Sequence, residues 1–470
     1  MRFRFSRRIS PAFSPCATME PMENSVCIPI DPRALGVLRA LEAAGETAWF
    51  VGGCVRDALL GRPAHDFDIA TSARWQRVRA IFQAQGRHVI ETGAEHGSVG
   101  VVVDGMVVET TTYRTESTYS DGRRPDDVAF VDDIALDLAR RDFCMNAIAY
   151  HPERGLFDPF GGKADIEAGI VGAVGDADKR FEEDPLRILR AVRFCAQLGF
   201  DADERTRDAA VRKAGDIRRI ARERVFAELE KTLLAPACGA AIARYRSVVE
   251  AAVPGFLQLG GGIGRTARAL DSLPTRADLR FAALLAGMEE ACGKGTAHDR
   301  LRTLRAPRKL IARVNALIAA LDEDCDPVPL QARLLVAAHS GDIAFVRDLI
   351  TLQTALAIFD DASPERGARM SRILDDLESG PVPLKRADLA IGGGELIEAG
   401  MPAGPSIAAT LDALLLETIR GDLPNERAAL LAWATSGSCP CEPGAGNIFQ
   451  KSLKKELTKK GKHRNIQTRA

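Results

Sequence analysis

Two rhythms of apolar residues divide this chain. Up to about residue 150, segments with period-two alternation are interleaved with helical ones, and beyond residue 162 the spacing stays helical to about residue 435. Residues 31–45, DPRALGVLRALEAAG, predict an amphipathic helix, and Thr47-Ala-Trp-Phe-Val51 predicts a buried strand. Gly52 and Gly53 predict a tight turn onto a helix over 55–60, followed by a strand over 66–70. A helix over 73–85 and strands over 87–91, 98–103 and 106–113 complete a small α/β unit, with the clearest strand propensity in the β-branched run at 107–111. The predicted helices beyond it are 185–198, 203–214, 221–234, 237–251, 276–292, 308–321, 329–339, 343–359, 363–377, 394–399 and 406–420. The Gly-rich runs at 259–264 and 391–394 follow no strand, so they read as turns between helices and not as phosphate loops. The segment from Glu116 to Asp127 is polar and rich in turn residues, which predicts a mobile loop.

A chain of 470 residues is too long for one core, so several domains are expected. No apolar run is long enough to span a membrane, and none is an expected partner. A net charge of −1 leaves any polyanion contact to local basic patches, and 6% aromatic residues argue against recognition by many stacked rings. The 10 cysteines are scattered, and the nearest pair, Cys439-Pro-Cys441, is one residue too tight for a usual zinc knuckle. Such spacing fits a reducing compartment, so a cytoplasmic location is expected. The first stretch holds Arg2, Arg4, Arg7 and Arg8 with no acid before Glu20, which resembles a mitochondrial transit peptide in composition. The alternative, favoured by the Ala- and Arg-rich body of the chain, is an upstream start with Met19 or Met22 as the true first residue. The Lys/Arg-rich end after residue 436 reads as a solvated, disordered tail, with an accessory RNA contact as its other reading.

The chemistry concentrates in GGCVRDALLGRPAHDFDIA (52–70). A strand, a glycine turn and a helix start make a place for phosphate, to which Arg56 adds a bidentate donor. Asp66 and Asp68, two apart on a strand, point the same way and repel unless a cation lies between them; hard oxygen ligands at that spacing suit Mg2+. Glu109, on a later strand, is the candidate third carboxylate of a two-metal clamp. A phosphate cradle beside such carboxylates reads as nucleotidyl transfer. In RRDFCMN (140–146), Arg141 suits a triphosphate, while Asp142 and Asn146 organise either the turn or a sugar. In EEDPLRILRAVRF (182–194), Asp184, Arg187, Arg190 and Arg193 recur every third residue at a helix start, and three stacked arginines repel unless an anion lies beside them.

These stretches, with ETGAEHGSVGVVV, VETTTYRTESTYSDGRRPDDVAF and DLARRDFCMNAIAY, resemble the bacterial-type tRNA nucleotidyltransferase and poly(A) polymerase family. Weaker likeness continues through RRIARERVFAELEKTLL and DLAIGGGELIEAGMPAGPSI, so coverage runs from about residue 35 to 430. The resemblance implies an α+β fold: a mixed-sheet catalytic head (27–150), a helical neck (151–235), and a helical body and tail (236–435), between an extension (1–26) and the basic tail (436–470). It implies that Asp66 and Asp68 hold the metals and that Gly52, Gly53, Arg56 and Arg141 hold the triphosphate. Asp184 and Arg187 would then read the incoming base, with Arg190 and Arg193 supporting nucleotide binding. Cytosine and adenine both present an exocyclic amine beside a ring-nitrogen acceptor, so a carboxylate and an arginine select them together. The implied partners are tRNA, CTP and ATP, and the implied activity is addition of C, C and A. Poly(A) synthesis, or CC-only or A-only addition, remains an alternative, as does an idle RNA-binding protein; ETGAEHG and the loop at 114–128 look like the tRNA-repair branch and disfavour a CC-only enzyme. Cys144 stands where the family usually has Thr and His65 where Lys is common, which implies tuning and not loss. His298-Asp299 is the one local echo of a phosphohydrolase domain, and that activity is not expected.

Overall fold

Burial explains why the first strand is central: all four residues of β1 (Ala48–Val51) are buried, so it must be covered on both faces. The computed structural model describes residues 28–64, 66–116, 128–356 and 363–436. The extension at 1–26, His65, the loop residues 117–127 and the basic tail therefore lie outside the described residues. The chain divides into two compact units, one of residues 1–183 with 203–206, the other of 184–202 with 207–470.

In the first unit, α1 (Pro32–Ala43) precedes β1, and Asp31 caps it by accepting from the Arg33 N–H. Then follow α2 (Gly53–Leu59), β2 (Asp68–Thr71), α3 (Trp75–Ala84), β3 (Val89–Gly93), β4 (Ser98–Val103), β5 (Met106–Thr112), β6 (Arg114–Glu116), β7 (Val128–Phe130), α4 (Ile134–Ala139), β8 (Ala149–His151) and β9 (Gly155–Phe157). Seven strands form one sheet in the order β3-β4-β5-β2-β1-β8-β9, while β6 and β7 pair as a separate ribbon. β2 and β5 are parallel, and the other neighbours in the large sheet are antiparallel. The sheet is mixed, as expected. Trp49, Val51, Ala70, Tyr113, Leu138, Cys144, Ala147, Ala149 and Val174 pack into one core on it. Cys144 is thus a core residue, its thiol donating to the Ala173 carbonyl at 3.5 Å and pushed up to about 12 by burial and nearby Asp165. The first unit continues with α5 (Gly162–Ala168) and α6 (Ala177–Glu183).

Strand β2 begins two residues later than predicted. β1 ends at Val51, whose register partner is Asp68, and Gly52 then turns away, so Asp66 has no neighbour on the β1 side and is exposed. The contacts that continue past Asp68 run to the other neighbour, where the Glu109 N–H donates to the Phe67 carbonyl.

The second unit is helical. Its first helix is α7 (Leu186–Leu198), and α8 (Glu204–Arg212), which straddles the division, and α9 (Arg222–Leu233) follow. The single helix expected over 237–251 is two, Cys238–Arg244 and Arg246–Ala252, broken at buried Tyr245, whose hydroxyl accepts from the Ala202 N–H. The Gly-rich run at 259–264 is a tight helical turn running into a helix, Ile263–Ser272, that the sequence reading did not resolve. Helix Ala277–Cys292 carries Arg280, only 3% exposed, which donates to the carbonyls of Leu233, Ala235, Leu273 and Pro274. Buried guanidinium groups persist only when so satisfied. Among the described residues, no helix is long and apolar enough to cross a membrane.

Candidate active site

Register alone brings the first group of site residues together. Asp68 on β2 lies opposite Val51 on β1 on one side and Glu109 on β5 on the other. Neighbouring strands lie about 4.8 Å apart, so the chain leaves β1 at Gly52 one step from the Asp68 carboxylate and two from Glu109. Gly52 has φ 77° and ψ −132°, a conformation open to glycine alone. A Cβ there would lie 3.0 Å from Nη1 of Arg141 and 3.7 Å from Oδ2 of Asp68. Backbone, carboxylate and guanidinium therefore face one another across a gap that a side chain would fill. Gly52→Ala is expected to cost about 1–3 kcal/mol from the backbone alone, and a thermal melt against wild type measures it.

Arg141 lines this gap, and Arg56 lies beside the next glycine, Gly53. Arg141 donates to Oδ2 of Asp137 at 3.3 Å and to the Asn146 carbonyl at 3.4 Å, and its buried Nε has no protein partner. Arg56, on α2, is more occupied than its expected phosphate role suggests: Nε and Nη2 reach Asp57 at 2.9 and 2.8 Å, and Nη1 reaches Oδ1 of Asn146 at 2.8 Å. Gly53 opens α2, and a Cβ on it would meet Arg56 Nη2 at 3.6 Å. Asn146 is held in turn, its amide donating to buried Asp142 at 3.1 Å, so Asp142 and Asn146 organise the turn and orient Arg56.

Burial, then nearby Glu109, push the Asp68 carboxyl up to about 6, Arg141 opposing and Asp66 adding to the rise. A carboxylate so disfavoured fits a cation, and Mg2+ often uses only one or two protein carboxylates with phosphate oxygens and water. Among the described residues no three His, Cys, Asp or Glu side chains gather as a ligand set, and Glu109, exposed on β5, stands in register beside Asp68. Because the folded carboxyl titrates above its ordinary range, its stabilising contribution is complete below about pH 4 and lost as pH rises through about 6. In metal-free protein Asp68→Asn should therefore melt above wild type at pH 8, with the gap closing near pH 4; melts in chelator across that range test it.

In the second unit, Asp184 stands just before α7. Its Oδ1 accepts from the Leu186 N–H at 3.0 Å and its Oδ2 from Arg224 on α9 at 3.3 Å. Arg187 is buried one turn on, its N–H bonded to the Asp184 carbonyl at 3.0 Å. The repulsion expected along the arginine row is relieved within the protein. Buried Glu228 accepts from Arg193 at 2.7 Å, Gln197 accepts from it at 3.1 Å, and the Phe194 ring lies 4.2 Å from Arg193 and 5.5 Å from Arg190. Arg193 thus ties α7 to α9. Arg224 and Glu228 were missed in the sequence, although their four-residue spacing puts both on one face of α9.

Known proteins resemble this chain over most of its length. The poly A polymerase head domain family matches residues 48–172, a probable RNA and SrmB-binding site of polymerase A matches 199–247, and a putative tRNA nucleotidyltransferase domain 2 matches 279–434. A CCA-adding enzyme of Geobacillus thermodenitrificans is 37% identical over 406 residues, spanning 85% of this chain and 96% of its own. One from Lactiplantibacillus plantarum is 35% identical over 409 residues, spanning 85% and 94%. The crystal structure of the Bacillus stearothermophilus CCA-adding enzyme in complex with CTP superposes with a TM-score of 0.71 at 33% identity, covering 86% of this chain and 97% of that one.

Proposed function

This chain belongs to the family of CCA-adding enzymes, and on that premise we propose how its residues divide the work of completing tRNA 3′ ends. The enzyme adds C, C and A from CTP and ATP. The terminal hydroxyl of the tRNA attacks the α-phosphate and pyrophosphate leaves, an in-line displacement that depends on positioning and charge neutralisation. Gly52 and Gly53 let the triphosphate approach the backbone, and Arg141, whose Nη1 lies 3.0 Å from the Cβ position of Gly52, is its main guanidinium. Arg56 supports it while exchanging part of its pairing with Asp57.

The family depends on metal, and in this chain Asp66 and Asp68 would hold Mg2+, which would lower the pKa of the attacking hydroxyl and neutralise phosphate charge. Asp184 accepts from the exocyclic amine of cytosine or adenine and Arg187 donates to the ring nitrogen, with Arg190 beside them and Arg193 fixing the helix. Helices within residues 236–435 supply the body and tail on which the tRNA lies. The free cysteines among the described residues, Cys54, Cys144, Cys195, Cys238, Cys292 and Cys325, suit the reducing cytoplasm.

The observation that carries this reading is the glycine gap, with Asp68 and Arg141 both within 4 Å of a Cβ at Gly52. The deciding experiment incubates pure protein with tRNA transcripts ending at the discriminator base, at C and at CC, with each nucleotide alone and together. Stepwise completion to CCA and no further supports the reading. A long A tail would assign poly(A) synthesis, and a halt at CC or a demand for CC-ended tRNA would assign partial addition.

A further inference from the structure

Asp137 is the residue that neither the sequence reading nor the proposed roles above absorb. It lies on α4 and is 0% exposed. Three donors from two parts of the chain converge on it. Arg140 donates to Oδ1 through Nε at 2.9 Å, Arg141 to Oδ2 at 3.3 Å, and the backbone N–H of Arg114 to Oδ1 at 3.3 Å. Burial acts to raise this carboxyl, but Arg140 and Arg141 outweigh it and hold it below the ordinary range, so Asp137 is ionised at neutral pH. A buried carboxylate that accepts several charge-assisted hydrogen bonds is a rigid anchor.

We infer that Asp137 is a positioning residue for nucleotide binding: it fixes the Arg141 guanidinium at the glycine gap and locks it to the root of the β6–β7 ribbon. Arg141 needs such an anchor. Its Nη1 lies 3.0 Å from the Cβ position of Gly52, so a small swing of the guanidinium either fills the gap or leaves it. The same carboxylate holds the first residue of β6, and the Arg114 side chain reaches back to the His96 carbonyl, ahead of Gly97. At Gly97 a Cβ would meet the Phe130 ring of β7 at 2.5 Å, so the ribbon is seated closely on that turn. Displacement of the ribbon root is therefore felt at the carboxylate that holds Arg141. This inference rests on the proposed triphosphate role of Arg141.

The test compares wild type, Asp137→Asn, Arg141→Gln and the double variant in full-length protein with tRNA transcripts. Asparagine keeps the shape and an acceptor but removes the charge. Asp137→Asn should raise KM for CTP and for ATP by the same factor, about tenfold, and weaken inhibition by pyrophosphate in parallel, with KM for tRNA and the choice of base unchanged. Arg141→Gln should raise KM at least as much, and adding Asp137→Asn to it should raise KM no further, because both act through one guanidinium. A fall in kcat with unchanged KM, or additive effects in the double variant, would show a merely structural ion pair and overturn the inference while leaving the role of Arg141 standing. No effect of Arg141→Gln on KM would overturn both. Should Asp137→Asn fail to fold, Asp137→Glu keeps the charge but displaces it, and the same KM rise is expected; unchanged KM there also overturns the inference.

Discussion

Asp68→Ala should abolish nucleotide addition while leaving the protein folded and able to bind tRNA. The carboxylate sits in register between the end of β1 and Glu109, half-buried, with its carboxyl pushed up to about 6. In the absence of a cation its charge is a liability, so removing it does not unfold the head. Losing the metal ligand should cost kcat about a thousandfold or more, on the order of 4 kcal/mol or more of transition-state stabilisation. Asp66→Ala should act in the same direction, although Asp66 is exposed and lies outside the strand. Single-turnover incorporation of CMP at saturating magnesium, alongside a tRNA-binding assay, measures both properties. Turnover near wild type in either variant would remove that residue from the metal site.

The second large effect concerns the choice of base. Asp184→Ala should cut incorporation of C and A together and shrink discrimination against UTP and GTP by about 10- to 100-fold, the worth of one unsatisfied buried polar contact. Affinity for the triphosphate, assigned to Arg141 and Arg56, should change less. Asp184 also caps α7 through Leu186, and losing that cap alone costs on the order of 1 kcal/mol of stability. Asp184→Asn separates the two roles: it retains an acceptor for the cap but presents an amide to the incoming base and to Arg224. Incorporation of all four nucleotides, read with a melting curve, decides between them. If the alanine variant melted lower yet kept its preference for C and A, Asp184 would be a cap and the base reader would lie elsewhere.

How far these sites were legible in the sequence depends on whether the signal was local. The Gly-Gly turn, the β2 carboxylate and Glu109 on a later strand were readable because strand alternation and glycine chemistry act over a few residues. The parallel pairing of Asp68 with Glu109 was expected only as membership of one sheet; the register came from the structure. Asp66 was misplaced onto the strand because alternation continues through Phe67 although the neighbouring strand has already ended. Asp137 was invisible for the opposite reason. In IALDLARRD an aspartate among apolar residues reads as the polar face of a short helix, and only the fold reveals that arginines bury it. Glu228, which accepts from Arg193, and Arg224, which donates to Asp184, lie 35 and 40 residues away from those partners in sequence, where pattern has no reach. The break at Tyr245 was likewise set by a tertiary hydrogen bond, against local helix spacing.

Arg280 has a consequence for how the helical unit melts. One buried guanidinium holds carbonyls at the C-terminal end of α9, at residues 233 and 235, together with those of residues 273 and 274 ahead of its own helix. If either stretch frayed by itself, a desolvated charge would lose its acceptors, a loss much larger than the stability of a single helix end. The two stretches are therefore bound into one cooperative folding unit, and partial opening at this seam is strongly disfavoured relative to opening at the unit's periphery. That stiffness comes from a single side chain, one that lysine, with its compact ammonium and fewer donors, cannot replace.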